Sequence, residues 1–221
     1  MFNTSSFIVI IILFSLLVFL LILYFLFWKL FFLRDPKRGI PTGDILVSPA
    51  DGKIISIKHI DLRKTAGKKE ISIKKGFGSI QSIYSEVSKK VIVVSIFMSL
   101  FNVHVNRAPC DGKVLSIIHT KGKFFNAADL KKSILNEKNE IMIKSKHGRI
   151  KVIQIAGALA RRIECFISRD QEVVKGQRIG LINLGSQVTM IMPADKVNLL
   201  VRMNQRVTGG ESVIASFLKK K

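Results

Sequence analysis

The chain has 221 residues, 48% of them apolar, and carries 36 Lys and Arg against 15 Asp and Glu, a net charge of +21. A surplus of that sign calls for an anionic partner, nucleic acid or a membrane surface. With one Trp, two Tyr and no RNA-binding or zinc-finger pattern, nucleic acid is set aside and an anionic bilayer retained.

The first element is apolar throughout. Phe7 to Trp28, FIVIIILFSLLVFLLILYFLFW, is 22 residues without a charge, more than the roughly 20 that cross a hydrocarbon core. It lacks a small-residue cleavage site and outruns a signal-peptide core, so residues 1–33 are predicted to be a retained membrane anchor whose transmembrane helix covers about residues 7–28. Even extended to Leu33 it is too short to cross twice. The preceding MFNTSS carries no Lys or Arg, while Lys29, Arg34, Lys37 and Arg38 follow. The positive-inside rule then places the remaining chain on the cytoplasmic side of the cell (inner) membrane. Two cysteines, Cys110 and Cys165, without C-x-x-C spacing, suit that reducing compartment and give no zinc site.

Residues 34–44, with RDPKRGIP, read as a turn-rich linker to one domain over residues 45–221. There, short β-branched runs such as GKIISIKHI, KVIVVSIFM, GRIKVIQIAG and QVTMIMP alternate with Gly, Asp and Lys, which predicts a mainly β fold. One short helix is expected near NAADLKKSILNEKNE and a second around AGALARRIECFI. An internal echo links SPADGKIISIK (Ser48 to Lys58) with APCDGKVLSII (Ala108 to Ile118), about 60 residues later. Each copy reads as an Asp-Gly turn launching a strand. Together with DQEVVKGQRIGLI, these elements are of the kind found in barrel-sandwich domains, a likeness of fold alone.

Few side chains carry obvious chemistry. His59, His119 and His147 lie in Lys-rich, strand-end or turn contexts and read as surface or satisfied groups. His104 ends the apolar run VIVVSIFMSLFNVHVNRAP, where a polar side chain must find a partner. Asp51 and Asp111 both precede Gly in turns, which suffices for Asp111 and half explains Asp51. Arg161 and Arg162 form either an anion-binding pair or a solvated face. Gly185-Ser186 interrupts an otherwise regular strand pattern, GQRIGLINLGSQVTMIMP, where glycine marks a bend or a close backbone approach. No G-x-S-x-G elbow surrounds that serine.

Taken together, FFLRDPKRGIP, LVSPADGKI, FMSLFNVHVNRAPCDGKV, GKFFNAADLKKSILNEKNEI, VIQIAGALARRIECFI and VVKGQRIGLINLGSQVTMIMP resemble the phosphatidylserine decarboxylase proenzymes, particularly their short form. The pieces occur in order over nearly all of residues 31 to 193. The resemblance implies that the chain cuts itself between Gly185 and Ser186. Ser186 Oγ attacks the Gly185 carbonyl, an ester replaces the amide, and elimination with loss of ammonia leaves a pyruvoyl group in place of Ser186. Glycine suits that step because, without a Cβ, it opens the carbonyl to attack and tolerates strain. The hydroxyl needs a base, and by the same resemblance His104 and Asp51 join Ser186, the carboxylate orienting the imidazole. The pyruvoyl group would then be the covalent cofactor, forming a Schiff base with the headgroup amine and accepting electrons as pyridoxal phosphate does elsewhere. No metal is implied. The implied partners are phosphatidylserine in an anionic bilayer and the cleaved large and small chains as a heterodimer, a higher oligomer staying open.

Longer members of that family carry H-x-x-H-x-P, whereas this chain has HVNRAP. Counting back from Pro109 puts His104 on the first histidine and Arg107 on the second; aligning NVH instead puts His104 on the second. Two other classes compete. A membrane-anchored barrel-sandwich adaptor would bind partners without needing Gly185-Ser186. A tethered zinc peptidase would share GQRIG followed by Gly but needs an H-x-H beyond it, and no histidine follows His147.

Overall fold

The computed structural model describes residues 4–65, 84–123, 125–129, 132–157, 162–183 and 186–218. The chain falls into two compact units, Met1–Pro36 and Lys37–Lys221.

The first unit is helical. Helix α1 (Thr4–Leu26) continues into wider, π-type turns over Phe27–Phe32. Without Gly or Pro, and with the backbone of its interior hydrogen-bonded within the helix, it is the structure an apolar run adopts in lipid. Phe7–Phe32 is long and apolar enough to cross a membrane. Trp28 stacks between Tyr24 and Phe32, with ring centroids 6.3 and 4.7 Å away. Arg34 donates to the Phe31 carbonyl at 2.7 Å, a cation where the helix dipole favours one.

The second unit is mainly β, as expected. Its strands are β1 (Ile45–Val47), β2 (Gly52–Asp61), β3 (Lys90–Met98), β4 (Val105–Arg107), β5 (Gly112–Thr120), β6 (Lys138–Ser145), β7 (Gly148–Ile155), β8 (Ile163–Cys165), β9 (Glu172–Val173), β10 (Arg178–Ile182), β11 (Ser186–Pro193), β12 (Val197–Leu199), β13 (Arg206–Val207) and β14 (Val213–Phe217). A curled sheet runs β13-β2-β3-β11-β7-β6-β5-β9, flanked by the three-stranded sheets β1-β14-β12 and β4-β10-β8. Short helices among the described residues include α2 (Leu62–Thr65) and a single turn at Ser133–Leu135. That turn lies in the first segment expected to be helical. It stops because the Asn136 side chain binds Phe125 N–H and the Phe125 and Ala156 carbonyls, and β6 follows at once. The second such segment supplies β8, while residues 158–161, Arg161 included, lie outside the described residues.

The sequence echo is one part of a whole-domain duplication. Strands β1-β2-β3 correspond to β4-β5-β6, and β11-β12-β13-β14 to β7-β8-β9-β10, so the large sheet is two like halves joined along β11 and β7. The details repeat. Register shifts fall between Ile54 and Ser56 in one copy and Val114 and Ser116 in the other. Asp51 accepts from Gly209 N–H and Asp111 from Lys175 N–H, both at 2.7 Å. Val47 N–H donates to the Pro109 carbonyl and Arg107 N–H to that of Pro49, both at 2.9 Å, so the two turns clasp each other. Gly52 and Gly112 are required by close approach: a Cβ would come 2.2 Å from the Phe97 oxygen and 2.4 Å from that of Lys144.

The halves differ in one respect. β6 and β7 are joined by a tight turn, with Ser145 opposite Gly148. β3 and β11 pair in the same way, Met98 opposite Ser186, but β4 to β10 are threaded between them. Ser186 therefore stands where the other half closes its hairpin. Strand β11 is buried at all eight positions, hydrogen-bonded to β3 on one side and β7 on the other. One face packs Val188, Met190 and Met192 into the main core with Ile54, Ile96, Ile141 and Ile150. The other packs Ile191 with Val91, Val93, Ile153 and Ile155. Each such side chain contributes about 1.5–3 kcal/mol.

Candidate active site

Ser186 opens β11 and is fully buried. Its Oγ donates to Met98 Sδ at 3.6 Å, a sulfur that also accepts from Asn106 Nδ2 at 3.6 Å. Beyond it runs a chain of buried amides: Gln154 Nε2 donates to Asn106 Oδ1 at 2.8 Å, and Asn139 Nδ2 to Gln154 Oε1 at 3.0 Å. Gly180 makes room for them, since a Cβ there would lie 2.7 Å from Gln154 Nε2. The other half fills the same positions with carbon. Asn106 pairs with Gly180 where Leu46 pairs with Ala215, and Asn139 faces Gln154 where Ile92 faces Met192. The fold does not need polarity there, and buried amides are retained only when bonded. These residues were missed from sequence. The available signal was a lone Gln in VIQIAG and a lone Asn in VHVNR, each inside an apolar run.

His104 is fully buried just before β4. Its Nδ1 lies 2.9 Å from the Asn102 carbonyl oxygen. A carbonyl only accepts, so Nδ1 carries a proton, and whenever the ring is neutral its lone pair is on Nε2. Asn102 is itself pinned: Ser99 N–H and Oγ both donate to its Oδ1 at 2.8 Å, and its N–H returns a bond to the Ser99 carbonyl at 3.0 Å. The His104 carbonyl accepts from Ile182 N–H at 3.3 Å. The segment from Met98 to His104 is thus tied at one end to Ser186 and at the other to Ile182. Those two ties bring His104 and Ser186 to the same pair of segments. Gly185 and Leu184 lie outside the described residues.

Asp51 has other partners. Arg38 Nη2 donates to both its oxygens at 3.0 Å, and Gly209 N–H to Oδ1. Arg38 also lies 3.8 Å from Glu211. Among the described residues no hydrogen bond or ion pair joins Asp51 to His104. Arg107 is buried, donates to the Gly176 carbonyl at 2.9 Å, and has its Cδ beside Gly210. It therefore shares the Gly209-Gly210 turn with Asp51.

The remaining candidates lie elsewhere. Burial pushes the Cys110 thiol up to about 12, while Cys165 is exposed; both are free. Among the described residues no three metal-ligating side chains cluster. His119 lies 3.5 Å from Glu137. His147 stacks on Phe217 with centroids 4.2 Å apart and lies 3.4 Å from Asp44. It lines a cavity of about 560 Å³ with Lys113, Lys144 and Lys175, the counterpart of the Ser186 region in the other half, with Gly148 where the serine would be. Arg162 is exposed, its carbonyl accepting from Asn183 N–H at 3.2 Å.

Comparison with known proteins identifies the family. The sequence model of the family described as phosphatidylserine decarboxylase matches residues 25–215. A protein of Rickettsia bellii (strain OSU 85-389) named phosphatidylserine decarboxylase proenzyme is 40% identical over 196 residues, which cover 88% of this chain and 77% of the relative. Proteins of the same name from Rickettsia prowazekii (strain Madrid E) and Rickettsia rickettsii (strain Sheila Smith) are 40% and 41% identical over the same share.

Proposed function

The chain belongs to the phosphatidylserine decarboxylase family, and we propose that it converts phosphatidylserine to phosphatidylethanolamine after cutting itself between Gly185 and Ser186. The observation that carries this reading is the position of Ser186. It is a buried hydroxyl at an opened hairpin, on the same two segments as an imidazole whose basic atom is Nε2.

In this reading His104 Nε2 takes the Ser186 proton, and Oγ attacks the carbonyl of Gly185, moving the acyl group from nitrogen to oxygen. Removal of the Ser186 Cα proton then expels the Gly185 carboxylate, and water replaces the nitrogen, which leaves as ammonia. Asp51 contributes by holding the turn before β2 against the Gly209-Gly210 turn through Arg38 and Gly209 N–H.

A pyruvoyl group has no more heavy atoms than the serine it replaces, so the buried space beside Met98 fits it. Such a group supplies a ketone that condenses with the substrate amine and accepts the electron pair left by carbon dioxide. Around it, the amide chain from Asn106 to Asn139 gives fixed polar groups in a low-dielectric setting, where oriented dipoles act most strongly. His104, still tied to Asn102, is the group placed to return a proton to the carbon that lost the carboxyl. Chains 1–185 and 186–221 stay together as a heterodimer because β11 is an interior strand.

The same reading places the protein in the cell (inner) membrane, with residues 34–221 in the cytoplasm. The uncharged N-terminus and the cations after the span support that orientation, and the net charge of +21 suits a surface of anionic lipid. The test is release of carbon dioxide from carboxyl-labelled phosphatidylserine in vesicles, with phosphatidylethanolamine as co-product. Ser186→Ala is expected to abolish both; retention of the activity in that variant would refute the assignment.

A further inference from the structure

Between Met98 and His104 the chain makes the turn Ser99–Asn102, and its side chains are arranged the opposite way from a water-facing turn. The polar ones are used internally, Ser99 bonding Asn102 and the Asn102 carbonyl bonding His104. The apolar ones point out: Leu100 is 36% and Phe101 69% exposed, whereas Met98 and Val103 on either side are buried. The fold does not require an apolar tip. The corresponding turn of the other half, between β6 and β7, carries Lys146 and His147. Cations flank the tip. Lys53 pairs with Phe97 across β2 and β3, and Arg206 with Lys53 across β13 and β2, and both side chains are exposed. An aromatic tip with Lys and Arg beside it is the composition that settles at an anionic lipid interface, ring in the acyl boundary and cations among the headgroups.

We propose that Leu100 and Phe101 form a bilayer-docking tip that enters the lipid surface and sets the Ser186 site against the headgroups. The proposal rests on the lipid-decarboxylase reading for its purpose but not for its test. Because the turn that carries the tip also holds His104 through the Asn102 carbonyl, docking and catalysis share one rigid piece of chain. The occupant is a lipid surface rather than a protein, since a bilayer is where the span already holds the chain.

The test uses the full chain in vesicles of phosphatidylcholine and phosphatidylglycerol, with Phe101→Trp introduced into a Trp28→Phe background so that one indole reports. Acyl chains brominated near the headgroup are expected to quench this tryptophan strongly and leave a Lys146→Trp control, at the far end of the sheet, largely unquenched. Equal quenching of the two, or none of either, overturns the proposal, including the outcome in which the tip serves a protein partner. In a second arm, Leu100→Ser with Phe101→Ser should lower turnover of bilayer phosphatidylserine about tenfold more than turnover of dispersed short-chain phosphatidylserine. Equal losses on both substrates would also overturn it. If the unmodified protein decarboxylates neither lipid, the functional reading fails and quenching alone decides the docking.

Discussion

With Nδ1–H committed to the Asn102 carbonyl, His104 offers Nε2 as its basic atom, and in the proposed mechanism removing the ring would remove the base for Ser186. His104→Ala is expected to accumulate uncut chain, the cleavage slowing by about 10²–10⁴ as for loss of a general base. Electrophoresis of the purified variant reads this directly; normal processing would assign the proton transfer to another group. Asp51→Ala should slow cleavage less, because its carboxylate holds Arg38 and Gly209 rather than the imidazole. The two thiols should also separate. Cys165 is exposed, whereas Cys110, with its thiol at about 12, stays protonated and inaccessible. One thiol is expected to react with a chromogenic disulfide in the native protein and two in denaturant. Ser186 and His104 drew attention in the sequence because each interrupts a regular run, and the roles proposed for them come from the family resemblance. Asn106, Gln154 and Asn139 were not, since a single amide in a strand looks the same whether it faces water or a buried site. The partners of Asp51 come from residues 13 and 158 positions away, a distance no local pattern reports.

Strand β11 would decide how the proposed cleavage products behave. It lies between β3 and β7, buried at all eight positions, and pulling it out would expose both cores at about 25 cal/mol per Å² of apolar surface. The small chain is therefore expected to co-elute with the large one through gel filtration and to separate only in denaturant. Elution of free small chain from native protein would contradict this. The neighbouring strands carry a buried charge cluster, in which Lys151 lies 2.7 Å from Glu86 and 3.2 Å from Glu140, and Lys138 lies 3.0 Å from Glu140. Lys151→Ala should cost about 2 kcal/mol, because buried Glu140 loses one charged hydrogen-bond partner and keeps Lys138, and a denaturant melt measures it. The strand runs were readable from alternation and turn residues. Their order in the sheet was not, because it depends on pairings such as Ser186 with Met98, 88 residues apart. The helix expected before β6 shrinks to one turn, its last residues drawn into the sheet by the Asn136 bonds.

The whole domain is a duplication in which one half is inserted into the hairpin of the other, and the serine marks the insertion point. The echo of SPADGKIISIK and APCDGKVLSII revealed the repeat, but only the matching strand orders, with their paired register shifts, show that it extends through the described strands. This architecture gives cleavage a physical setting. A cut between Gly185 and Ser186 would fall just before β11 and leave its pairings with β3 and β7 in place. It would also turn the edge of an interior strand into a new chain end inside a buried polar site.

Intact-mass measurement of the purified protein tests that account most directly. Two chains are expected, one ending at Gly185 and one spanning 186–221, the latter lighter than a serine-started peptide by the mass of one ammonia. A single uncut chain with full lipid decarboxylase activity would contradict it.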